Sequence, residues 1–120
     1  MRILILEDDP NRVDSFQKCY KDHEIVTSDQ TKEIINLLQT EKWDALFLDH
    51  DLGGQVYVPS GDDTGYEVAK WLELNPQYKP KYIILHTLNP AGRNNMRACL
   101  RGSIDFPFAW SQNIFKLLGD

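Results

Sequence analysis

A chain of 120 residues with 42% hydrophobic content, three Trp, five Tyr and five Phe is enough for one domain over residues 1–120, burying roughly two-thirds of its unfolded surface. The net charge of −5 excludes general affinity for long nucleic acid, although local basic residues can hold one phosphate, and no apolar run is long enough to span a membrane. Cys19 and Cys99 have no metal-ligand spacing, and Glu7-Asp8-Asp9 cuts off the opening apolar run without a cleavage signal, so reduced thiols and a cytoplasmic location are expected.

Arg2–Leu6 reads as a buried first strand. Asp9 then caps a helix with Pro10 at its first position, and Val13, Phe16 and Tyr20 form its apolar stripe to about Lys21. Glu24–Thr27 is a short second strand, and Ser28 is the expected cap of a helix burying Ile34, Ile35, Leu37 and Leu38. Ala45–Leu48, four apolar residues running straight into Asp49-His50-Asp51, suits an inner strand covered on both faces. A long loop, residues 53–63, follows, of the kind that often serves as a lid or binding loop.

Thr64-Gly65-Tyr66-Glu67 has capping-box spacing, so a third helix starts there with Val68, Ala69 and Leu72 inward and Trp71 at its margin, ending at Asn75-Pro76. Lys81–Leu85 is a fourth strand. Asn89 and Pro90 open a fourth helix to about Leu100, Ser103–Phe106 is a short fifth strand, and Ser111 caps a last helix burying Ile114, Phe115 and Leu118. Strictly alternating strands and helices imply an α/β fold: a five-stranded parallel sheet with helices on both faces, in the flavodoxin-like order 2-1-3-4-5.

In that order the ends of strands one, three and four converge on one crevice, bringing Glu7-Asp8-Asp9, Asp49-His50-Asp51, and His86-Thr87-Leu88-Asn89 together. Crowded carboxylates need a divalent cation or a raised pKa, which makes Asp8, Asp9, Asp49 and Asp51 the expected metal ligands, with Mg²⁺ or Mn²⁺ as the cofactor. The helix opening at Asn89 offers unpaired N–H groups, so Thr87, Asn89 and Arg93 form the expected phosphate-binding set, while His50, His86 and Asp49 are the candidates for moving protons. Plainer roles stay open for all of them: capping for Asp9 and Asn89, a turn for Asp49 and Asp51, a core imidazole for His86, a surface charge for Arg93.

The element order, Glu7-Asp8-Asp9 and Leu48-Asp49 resemble the receiver domains of response regulators over the whole chain. That resemblance implies Mg²⁺ held by Asp8 and Asp9 and phosphoryl transfer to Asp49. Two positions depart from it: His86 stands where receivers carry Thr or Ser, and Asp105-Phe106 precedes Pro107 where they carry an invariant Lys. Leu48-Asp49-His50-Asp51-Leu52-Gly53, His86-Thr87-Leu88-Asn89-Pro90-Ala91-Gly92 and Pro107-Phe108-Ala109-Trp110 resemble instead the cyclic-phosphate processing receiver-like domains. The expectation is a receiver fold that binds or hydrolyses a cyclic phosphate, on a nucleotide or an RNA end, as a metal-dependent phosphoesterase. The alternative is a degenerate receiver acting as a non-enzymatic signalling or interaction module with a protein partner, phosphorylated on Asp49 or not at all.

Overall fold

The structure, a computed structural model, describes residues 1–52 and 58–119. Five strands form its sheet: β1 Arg2–Leu6, β2 Glu24–Ser28, β3 Ala45–Leu48, β4 Tyr82–Leu85 and β5 Ile104–Asp105. All pair in parallel, in the order β2-β1-β3-β4-β5. The helices are α1 Pro10–Cys19, α2 Thr31–Thr40, α3 Gly65–Leu74, α4 Pro90–Cys99 and α5 Ile114–Leu117.

Side-chain alternation along the strands divides the core in two. Leu4, Leu6, Leu46, Leu48, Ile83 and Leu85 face one side, where Ile34 and Leu38 of α2, Val68 and Leu72 of α3, and Met96 and Cys99 of α4 cover them. Ile3, Ile5, Ala45, Phe47 and Ile84 face the other, against Phe16 of α1 and Ile114 and Phe115 of α5. The four residues of β3 are buried completely, which is why that strand shows no polar alternation.

Several local expectations shift. Ser28 is the last residue of β2 and accepts a bond from the Gln30 N–H at 3.0 Å, so α2 opens two residues later, after Gln30. At α3 the capping box is displaced. Thr64 Oγ1 donates to the Gly61 carbonyl at 2.7 Å rather than capping, and Glu67 reaches back to the Asp63 N–H at 2.8 Å. Asn113, not Ser111, caps α5, its Oδ1 accepting from the Phe115 and Lys116 N–H groups. Trp71 stacks on Tyr78 at 5.4 Å, in the 3-10 turn Pro76–Tyr78 after α3. Cys19 and Cys99 are free thiols.

Candidate functional site

Register brings the site together. Leu6, Leu48 and Leu85 lie side by side across β1, β3 and β4, so the next residues along, Glu7, Asp49 and His86, leave the sheet together. Each is two residues beyond Ile5, Phe47 or Ile84, so their side chains fall on the α1/α5 side. All three are buried, and one ligating atom from each lies within 4.8 Å of the others. His86 Nε2 is 3.0 Å from Glu7 Oε1, and its ring packs edge-on to Phe16 at 5.0 Å.

The electrostatics of this cluster are unequal. Burial alone would raise Glu7, but the His86 hydrogen bond and charge, the Asp9 N–H and Arg12 outweigh it and hold the carboxyl down to about 2. The N–H groups of Asp8 and Asp9 both donate to Glu7 Oε2, at 3.0 and 3.1 Å. Asp49 goes the other way: burial, then the charges of Glu7 and Asp8, push it up to about 8 against the opposing His50 N–H and Arg12. Burial pushes the His86 imidazole down, against the Glu7 carboxylate that pulls it up and accepts its Nε2–H. His86 Nδ1 is buried with no hydrogen-bond partner among the described residues.

This donor set fits a divalent cation. Two buried carboxylates, one of them raised by burial and by the charges beside it, together with an imidazole, make up the oxygen-rich site with a nitrogen alongside that Mg²⁺ or Mn²⁺ tolerates. Arg12 stands beside it, its Nη1 3.8 Å from Glu7 Oε1 and its guanidinium 4.3 Å over the Trp110 ring, as a positive group next to the cluster.

His50 is on the opposite side of β3 from His86. Its ring is fully buried, with Nδ1 2.7 Å from Asp51 Oδ1 and Nε2 2.9 Å from Ser60 Oγ. Asn89 joins this group: its Nδ2 donates to Asp51 Oδ1 at 3.0 Å and to the Val58 carbonyl at 3.1 Å, while its Oδ1 caps α4 through the Gly92 N–H at 3.0 Å. Gly92 is required there, because a Cβ would stand 2.4 Å from the His50 ring. The expected shared environment of the two histidines is thus two environments, linked through the His50 N–H that donates to Asp49 Oδ1 at 2.8 Å.

Of the expected metal ligands, Asp49 lies in the acid cluster and Asp8 contributes charge to it. Asp9 instead caps α1, accepting from the Asn11 N–H at 2.8 Å, and Asp51 holds His50 and Asn89. Of the expected phosphate-binding set, Thr87 Oγ1 accepts from the Asn89 N–H at 3.1 Å, Asn89 is occupied as above, and Arg93 turns towards Asp105 with its Nε 3.9 Å from the carboxylate. Glu7 was expected at this edge but without a role, and Arg12 and Ser60 were not among the expected site residues. Strand parity points to Glu7; only packing reveals the other two. Of the loop expected as a lid, residues 53–57 lie outside the described residues.

The fold, with an acidic cluster at the carboxyl ends of β1 and β3, defines a receiver domain. The chain superposes on chemotaxis response regulator CheY4 of Vibrio cholerae with a TM-score of 0.71 and 18% identity, covering 98% of this chain and 96% of that one. The Mn²⁺-bound form of response regulator Rcp1 gives a TM-score of 0.74 at 18% identity, covering 98% and 93%. TrrA of Thermotoga maritima, in complex with Mg²⁺-BeF, gives 0.71 at 21% identity, covering 98% and 96%. Residues 2–102 match the cyclic-phosphate processing receiver domain, and the chain belongs to that family. None of the curated proteins matches it.

Proposed function

We propose that this domain binds a cyclic phosphate at the carboxyl edge of its sheet and hydrolyses it with the help of a divalent cation. The observation that carries this reading is the meeting of Glu7, Asp49 and His86 within 4.8 Å, buried and with Asp49 raised to about 8. Such a cluster is unfavourable without a proton or a cation, and it lies where ligands bind in sheets of this order. Glu7 and Asp49, with Asp8 beside them, would hold the cation. When bound, the cation would neutralise the carboxylates and polarise a phosphate oxygen or a water.

The rest falls to the chain itself. His86 keeps Glu7 in place through its Nε2–H, as a hydrogen-bonded neighbour orients a ligand. Arg12, held between Glu7 and the Trp110 ring, offers its guanidinium to the phosphate. The wall of Phe16, Phe47 and Trp110 around His86 lowers the local dielectric, which strengthens each of these contacts.

The competing reading is a signalling module phosphorylated on Asp49. Against it, the positions before Pro107 are Asp105 and Phe106, and Asp105 faces Arg97 at 3.0 Å, so that edge carries a carboxylate where an acyl phosphate needs a cationic partner. The test incubates purified protein with cyclic nucleotides and cyclic-phosphate RNA ends in Mg²⁺ or Mn²⁺, and separately with a small phosphodonor. Ring-opened product, lost in Glu7→Gln and Asp49→Asn, is the expected result. Intact ligand with no measurable binding, and a stable phosphoryl adduct on Asp49 instead, would overturn it.

A further inference from the structure

Asp51, His50 and Ser60 form a hydrogen-bonded chain that the acid cluster does not use. Asp51 Oδ1 lies 2.7 Å from His50 Nδ1, and His50 Nε2 lies 2.9 Å from Ser60 Oγ. The tautomer follows from the partners. A carboxylate only accepts, so Nδ1 carries the proton to Asp51 at 2.7 Å rather than taking one from Asn89 Nδ2 at 3.3 Å, and Nε2 is left with the lone pair that accepts from the Ser60 hydroxyl. Asn89 Nδ2 donates to the same Asp51 oxygen at 3.0 Å and Gly92 packs on the imidazole, so acid and base are both held in place. Asn95 Nδ2 donates to Ser60 Oγ at 2.8 Å, which uses an acceptor site of the hydroxyl and leaves its proton for His50. His50 is fully buried whereas Ser60 is half-exposed, so the hydroxyl is the end of the chain that a ligand can reach.

We propose that Ser60 is a nucleophile activated by His50 and positioned by Asp51, and that it opens the cyclic phosphate through a phosphoserine ester; the choice of phosphorus as electrophile rests on the function proposed above. Ser60 Oγ attacks phosphorus as its proton passes to His50 Nε2; the Oγ–P bond forms, one ring P–O bond breaks, and the leaving alkoxide takes the proton from His50. Water then attacks phosphorus, gives a proton to His50, and the P–Oγ bond breaks with that proton returning to Ser60. One water is consumed for each ring opened. His50 follows Asp49 directly, and its N–H bonds the Asp49 carboxylate, so the base and the acid cluster leave the same strand end, on opposite sides of the sheet.

The experiment treats the intact protein with a fluorophosphonate probe and maps the adduct by mass spectrometry, alongside a cyclic-nucleotide hydrolysis assay with Mg²⁺ or Mn²⁺. The expected result is one adduct, on Ser60, absent in Ser60→Ala and formed about 100-fold or more slowly in Asp51→Asn, a change that a merely structural carboxylate would not make. No adduct on Ser60 in the folded protein, or equal labelling rates with and without Asp51, would overturn the proposal. If the protein opens cyclic nucleotides and Ser60→Ala does so equally fast, Ser60 is not the nucleophile while the cyclic-phosphate reading survives. If Ser60 labels as expected but no cyclic phosphate is opened, the activated serine stands and the phosphorus substrate falls.

Discussion

Asp49 is held at odds with its surroundings. Its carboxyl is buried between Glu7 and Asp8, and those charges together with burial keep it protonated up to about pH 8. A carboxyl raised in the folded state lowers stability as pH rises from the unfolded value of 3.8 to the folded value of about 8, because the unfolded chain ionises first. Asp49→Asn keeps the oxygen that accepts the His50 N–H and removes the charge. The variant should be more stable than the parent in chelator at neutral pH by on the order of 2 kcal/mol, measured by urea unfolding, with the gain vanishing near pH 4. Arg12 carries the opposite charge at the same place. Arg12→Gln should weaken binding of a cyclic nucleotide by about tenfold, read by calorimetry, since one charge-assisted contact is worth roughly 1.5–3 kcal/mol before solvent screening at a half-exposed site. Equal affinity would remove Arg12 from the phosphate site.

At the scale of elements, α4 does two jobs from its first turn. Asn89 and Pro90 start the helix as the sequence indicates, but the same Asn89 side chain also ties Asp51 and the Val58 carbonyl to that helix. Asn89→Ala should therefore cost more than an ordinary cap, upwards of about 2 kcal/mol in urea unfolding, and should speed amide exchange around Val58. An Asn89→Ala loss of only a few tenths would mean that the bridge carries no weight. Gly92→Ala puts a methyl where the His50 ring lies, and the expected cost is about 1–3 kcal/mol with displacement of the ring, followed by its NMR shifts. The pair Asn89-Pro90 was legible because capping is local chemistry. The displaced caps at α2 and α3 were not, because Ser28 stays in the sheet, while Thr64 is taken by Gly61 and Glu67 is shared with Thr31 of α2 at 2.9 Å.

Over the whole molecule, a ligand that binds only the folded state adds stability by mass action. Mg²⁺ or Mn²⁺ should raise the melting temperature at pH 7 to 8, where Asp49 would otherwise have to keep its proton, and have little effect near pH 4, where protons compete for the carboxylates. A pH-independent shift, or the same shift in Asp49→Asn, would place the cation elsewhere. Among the described residues no helix is long and apolar enough to cross a membrane.

The architecture was readable because each of its signals is local. A continuous apolar run marks an inner strand, a cap with Pro marks a helix start, and their alternation leaves few topologies, among them the order β2-β1-β3-β4-β5 that the chain adopts. The edge at which the strands of such a sheet end was readable too. Tertiary structure decided which side chains meet there. Register sets Glu7, Asp49 and His86 abreast on one side of the sheet, and parity sends His50 to the other, where Ser60 meets it. Arg12 could be placed only by the packing of α1 against the Trp110 segment. Residue types declare what chemistry is available, but the side on which a side chain emerges depends on strand pairing between segments far apart in sequence, and no local pattern encodes that.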